Sequence, residues 1–95
     1  DAGVGGATAQ ALAQVLADLA RSHQVLVVTH LAQVAVFADA HYVVRKEEGP
    51  VPQTRLGAVE GAARVDEVAR MLSGTVTEAS RAHAGELLAA AGNGA

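Results

Sequence analysis

Gln24-Val25-Leu26-Val27-Val28-Thr29-His30 is the stretch whose reading decides the fold. Its four apolar residues run without a break, and Val25, Val27 and Val28 are β-branched. A strand with one wet face would alternate apolar and polar residues. A continuous apolar run of this length is how a strand buried on both faces of a parallel sheet reads. The run ends in Thr29-His30, at what would be the carboxyl end of that strand. Ligands of open α/β sheets sit beyond this edge. A histidine there can donate a hydrogen bond to a phosphate oxygen or position a water. It can equally cap the strand or the helix that follows, and position alone leaves both readings open.

Working outward, residues 7 to 22 read as a helix. Leu12, Val15, Leu16 and Leu19 follow the i, i+3, i+4, i+7 spacing and predict one apolar stripe turned to the core. Alanine fills the gaps and favours helix. A helix followed by a short buried strand is half of a βαβ unit. Beyond the strand, residues 31 to 38 predict a short helix with Leu31, Val34 and Ala35 inward, ended by Asp39-Ala40. His41 to Lys46 is a second strand. Glu47-Glu48-Gly49-Pro50-Val51-Pro52 is a turn holding both prolines of the chain. Gln53 to Val59 returns as the hairpin partner.

Gly61 to Ser73 predicts a helix with Val65, Val68, Ala69 and Leu72 inward and Gly74 as its C-terminal cap. Thr77 is an N-cap for a last helix through Ala90, with Ala84, Leu87, Leu88 and Ala91 on one side. Residues 92 to 95 predict a frayed tail. The fold class is therefore α/β: helix-strand-helix, then a β-hairpin, then two helices.

Composition narrows the function classes. A chain of 95 residues allows one small domain with a marginal core. Hydrophobic residues make up 51%, but with one Phe, one Tyr and no Trp the usual large anchors are nearly missing. Such a piece is expected to lean on something larger. The chain opens on Asp1, inside what reads as a loop motif, which points the same way. Net charge is -3, whereas a surface that grips nucleic acid unaided is basic. The segment is therefore not expected to bind DNA by itself. The absence of Cys excludes disulfides and thiolate metal sites and fits a cytoplasmic setting. No apolar run is long enough to span a bilayer, so no membrane partner is expected.

The other chemistry-bearing motif is Asp1-Ala2-Gly3-Val4-Gly5-Gly6. Its glycines leave backbone N–H groups open to an anion at the start of a helix. It is neither Gly-x-Gly-x-x-Gly nor a Walker A loop, since Gly-Lys-Ser/Thr occurs nowhere in the chain. Alone it reads as a turn. A phosphate or dinucleotide binder built on Gly3, Gly5 and Gly6 is disfavoured, because no strand precedes the loop. His23, His41 and His83 stand singly, with no metal-site spacing, and read as structural or surface residues.

Together these pieces resemble the end of an ABC-type ATPase head, of the SMC-like kind found in the bacterial RecN family of DNA repair proteins. Residues 1 to 6 resemble the D-loop. Residues 24 to 35, Gln-Val-Leu-Val-Val-Thr-His-Leu-Ala-Gln-Val-Ala, resemble the strand and switch-histidine region. Ala69-Arg70-Met71-Leu72-Ser73-Gly74, with Ala82-His83-Ala84 and Leu87-Leu88, resembles the C-terminal helices. The three segments span nearly the whole chain in the right order. Ala32 stands where the family usually has Pro. The Walker A lysine, the signature Ser-Gly-Gly and the Walker B Asp-Glu do not occur here, and the resemblance puts them upstream.

The resemblance implies a C-terminal fragment of a P-loop ATPase head. Residues 1–46 would hold D-loop, helix, buried strand and switch histidine, 47–60 the turn and return strand, and 61–95 the C-terminal helices and tail. His30 would be the catalytic switch residue, contacting the γ-phosphate and holding the attacking water, with Thr29 and Gln33 in support. Asp1, Gly3, Gly5 and Gly6 would lie at the ATP site between two heads. ATP and Mg²⁺ would be bound mainly upstream. The partners implied are the N-terminal portion of the same head, a second head in a homodimer, and DNA through the parent protein, which would be nucleoid-associated. The rival reading is a small non-enzymatic α/β interaction module.

Overall fold

The computed structural model describes residues 6–93. Six elements follow in order: α1 (Gly6–Leu19), α2 (Ala32–Ala35), β1 (His41–Glu47), β2 (Gln53–Val59), α3 (Gly61–Ser73) and α4 (Glu78–Ala90). The hairpin is antiparallel, with His41 opposite Val59 and Glu47 opposite Gln53, and Pro50 and Pro52 fall in its loop. Its tip carries an ion pair of 2.6 Å between Arg55 and Glu47. Gly61 takes a φ of 54°, which lets the chain leave β2 and enter α3 almost at once.

Helices α3 and α4 form as their local signals require. Gly74 adopts the left-handed conformation at φ 81° and donates its N–H to the Arg70 carbonyl at 2.7 Å. Thr77 caps α4 reciprocally with Ser80. The Ser80 N–H donates to Thr77 Oγ1 at 3.1 Å, and the Thr77 N–H donates to Ser80 Oγ at 2.8 Å. The two helices share a core of Val68, Ala69, Ala84 and Leu88, joined by Ala32 and Val36 from the α2 segment. Val65, Leu72, Leu87 and Ala91 border it as the helical spacing predicts. An Asp66–Arg81 pair at 2.8 Å ties α3 to α4 on the outside.

Three expectations are overturned. The run Val25 to Val28 forms no strand and is not buried: Leu26 is 89% and Val28 94% exposed. A strand exists through its ladder partners, and among the described residues the only two strands pair with each other. The helix-strand-helix portion of the α/β reading is thus helix, irregular segment, helix. Secondly, the α1 stripe does not face the core. Ala9 and Ala13 are the buried residues, packed with Val34, while Leu12, Val15 and Leu19 are exposed and Leu16 is half-buried. The spacing marks an apolar face, but the one neighbour available is a single turn that covers only the alanines. Thirdly, of the tail expected to fray, Gly92 and Asn93 are ordered against α4, while residues 94 and 95 lie outside the described residues. The Asn93 N–H donates to the Leu88 carbonyl at 2.8 Å and that of Gly92 to Ala89 at 3.0 Å, with Gly92 at φ 84°. This paired closure is the Schellman arrangement.

Candidate functional site

Thr29 and His30 lie just ahead of α2, whose N-cap is Leu31, and Gln33 is the second residue of that helix. Thr29 Oγ1 accepts a hydrogen bond of 3.0 Å from the Leu31 N–H, which turns the chain at His30. Ala32, Val34 and Val36 are buried, so the backbone after His30 is anchored on both clusters of the core. His30 is exposed, while Thr29 and Gln33 are half-buried. The imidazole thus stands in the open on a backbone fixed on its carboxyl side. Before Thr29 run half-buried Val25 and the exposed residues Leu26 to Val28. The expected edge of a sheet is, among the described residues, a histidine two positions past an apolar run that joins no ladder.

Of the expected loop residues, Asp1, Gly3 and Gly5 lie outside the described residues. Gly6 begins α1 and is exposed, with nothing near the position of a Cβ. Among the described residues no cluster of His, Cys, Asp and Glu gathers to hold a metal ion. No helix among them is long and apolar enough to cross a membrane.

The C-terminal side of α2 is held by residues that the sequence reading passed over. Arg64 Nη2, on α3, donates to the carbonyls of Ala38 at 2.7 Å and Ala35 at 3.2 Å. Asn93 Nδ2 donates to Val36 at 2.8 Å and Ala38 at 3.2 Å. No sequence signal links these groups, since Asn93 and Val36 are 57 positions apart.

A cavity of about 190 Å³ lies elsewhere, between the start of the hairpin and α3. Asp39, His41, Glu60, Arg64 and Asn93 line it. His41 Nδ1 and Arg64 Nε are buried there with no hydrogen-bond partner among the described residues. Burial first, and the charge of Arg64 next, push the His41 pKa down and favour its neutral form. His41 sits on β1, at the base of the hairpin. His23 is paired with Ser22 at 2.9 Å, and His83 is exposed on α4.

No protein-family model matches the chain. It is 54% identical over 92 residues to the DNA repair protein RecN of Deinococcus radiodurans, an alignment covering 94% of this chain and 16% of that protein. It is 52% identical over 90 residues to RecN of Streptomyces coelicolor, covering 93% of the chain and 16% of the relative. For RecN of Mycobacterium tuberculosis the figure is 49% over 96 residues, covering 98% and 16%. The chain thus spans about one-sixth of the length of the relatives it matches.

Proposed function

We propose, from the premise that this chain matches the C-terminal part of RecN, that it is the distal portion of an ATP-hydrolysing protein of DNA double-strand break repair and recombination. In this reading it is a piece of an SMC-like, P-loop ATPase head. Its N-terminal loop, Asp1 with Gly3, Gly5 and Gly6, and its switch residue His30 contribute to an ATP site formed between two heads. The phosphate-cradling loop and the Mg²⁺ ligands come from residues outside this chain. DNA is met through the parent protein and not through this acidic segment.

The observation that carries the reading is the surroundings of His30. An exposed imidazole, one half-buried threonine beyond the exposed residues Leu26 to Val28, precedes a turn anchored in the core. Leu26 and Val28 have the composition of a sheet interior and the exposure of a surface. Contiguous exposed apolar surface of this kind marks a contact with another body. The upstream part of the head supplies that body, and the sheet it brings sets His30 at a carboxyl edge, where a γ-phosphate would lie.

Phosphoryl transfer depends mostly on positioning and charge stabilisation, so one fixed donor beside the γ-phosphate and its attacking water contributes strongly. His30→Ala in the full-length protein lowers kcat by more than about tenfold while ATP still binds. Steady-state hydrolysis combined with equilibrium nucleotide binding reads both quantities. An unchanged kcat removes His30 from the mechanism. The 95-residue chain alone neither hydrolyses ATP nor binds it well. Strong hydrolysis by it would contradict the assignment, and intact hydrolysis in its absence would favour a non-enzymatic interaction module.

A further inference from the structure

The turn that follows His30 is too short to hold itself. Helix α2 has four residues, and a single turn fixes several backbone dihedrals for very little hydrogen bonding. The carbonyls of Ala32, Val34 and Ala35 accept the N–H groups of Val36, Phe37 and Ala38, and the exit from the turn gains further donors from other elements. The carbonyls of Ala35, Val36 and Ala38 all receive side-chain donors, and every one of these comes from the far end of the chain. Arg64 contributes a single nitrogen, Nη2, whose two hydrogens reach Ala35 and Ala38. Arg64 stands one turn from Val68 and Ala69, both 0% exposed, so its stem rises beside the centre of the core. Asn93 is held by the backbone closure of α4.

We infer that Arg64, with Asn93 as a second strut, is a positioning residue for His30. This rests on the ATPase reading above. Thr29 fixes the backbone just ahead of Leu31, while Arg64 and Asn93 fix it from Ala35 to Ala38. His30 lies inside this bracket with its ring exposed. A donor set in place before the substrate arrives needs little reorganisation when charge develops on the phosphate. Arg64 touches no reacting atom; it acts through the turn that carries His30.

The test is ATP hydrolysis by the full-length protein with Arg64→Met, Arg64→Lys, His30→Ala and the Arg64→Met/His30→Ala double variant. Arg64→Met keeps the stem and removes the donors. It lowers kcat about tenfold and leaves KM for ATP within about twofold, the pattern of a loss expressed in the transition state. Arg64→Lys brings an ammonium to the same carbonyls and recovers kcat to within about threefold. The double variant is no slower than His30→Ala, since a strut has no effect once the group it positions is gone.

Three outcomes overturn the inference. Arg64→Met can leave kcat unchanged. The losses can multiply in the double variant. KM can rise while kcat holds. If His30→Ala itself leaves kcat unchanged, the ATPase role of His30 falls and the strut falls with it. Losses that multiply on an effective His30→Ala sink the strut alone. Should Arg64→Met fail to fold, Asn93→Ala removes the other strut and is read against His30→Ala in the same way.

Discussion

The α3–α4 half and the stretch from α1 to His30 are both rich in Ala, Val and Leu, yet only one of them buries its large side chains. In α3 and α4, Val68 and Leu88 are 0% and 3% exposed, and Val65, Leu72 and Leu87 pack around them. In α1 it is the alanines that are buried, while Val15 is 64% exposed. Similar composition thus yields a finished core at one end and an unfinished surface at the other. The difference lies in partners. α3 and α4 face each other across a short connection, capped at Gly74 and Thr77. Among the described residues, Leu12, Val15 and Leu19 of α1 and Leu26 to Val28 beyond it stay exposed. On the proposed reading that surface belongs to the rest of the ATPase head, which makes the C-terminal half a platform and the N-terminal half a docking side.

The contrast is broken most directly by matched truncations. Leu88→Ala opens a cavity in the shared core and costs about 2–5 kcal/mol by denaturant unfolding of the chain. Leu26→Ala removes a side chain that is 89% exposed and stays within about 0.5 kcal/mol in the same measurement. In the full-length protein Leu26→Ala becomes costly, about 2 kcal/mol or more, because the site is then covered. Equal costs for Leu26 in both settings would show that the N-terminal half is a surface in its own right and would remove the docking side.

A smaller effect sharpens the platform side. The reciprocal bonds between Thr77 and Ser80 satisfy backbone donors that the start of α4 would otherwise leave open. Thr77→Ala therefore costs about 1 kcal/mol in the chain and the same in the full-length protein. Amide exchange checks it locally, with the Ser80 N–H losing protection before the amides of α3.

The sequence told most where structure is set locally. The hairpin over 41–59, α3 with Gly74 and α4 with Thr77 form as turn, cap and spacing rules require. Periodicity failed at α1, because it identifies an apolar face without saying what covers it. Composition failed at Val25 to Val28, because a buried strand is a property of its neighbours as much as of its residues. Around His30, the placement of Thr29, His30 and Gln33 beside α2 was readable from adjacency. The bracket made by Arg64 and Asn93 was not. A glycine followed by asparagine after a helix signals a C-terminal closure, and that much was available at Gly92-Asn93. That the Asn93 amide reaches the carbonyl of Val36 depends on how α4 lies against the α2 segment, which no local rule encodes.

The smallest expected effect lies on α3 itself and tests the platform by acid. Arg70 donates to both carboxylate oxygens of Glu67, at 2.8 and 2.6 Å. These bonds hold the Glu67 carboxyl below its ordinary value of 4.5, with burial opposing them. A carboxylate depressed by folding stabilises the fold above its unfolded value. That contribution is lost as pH falls through 4.5 toward the lowered folded value. His41 acts earlier and in the same direction. Burial and Arg64 lower its pKa from 6.5, so the fold resists its protonation, and stability declines as pH drops below that value. Acid unfolding of the chain is therefore expected in two stages. Glu67→Gln flattens the lower stage by about 0.5 kcal/mol, the scale of a helical ion pair, and the fall that begins below 6.5 persists and steepens, because the Glu67 charge that raises the His41 pKa is gone. Urea midpoints taken from neutral pH downward resolve the two. A variant whose loss below 4.5 matches that of the parent would show that the Glu67–Arg70 pair contributes nothing to the platform.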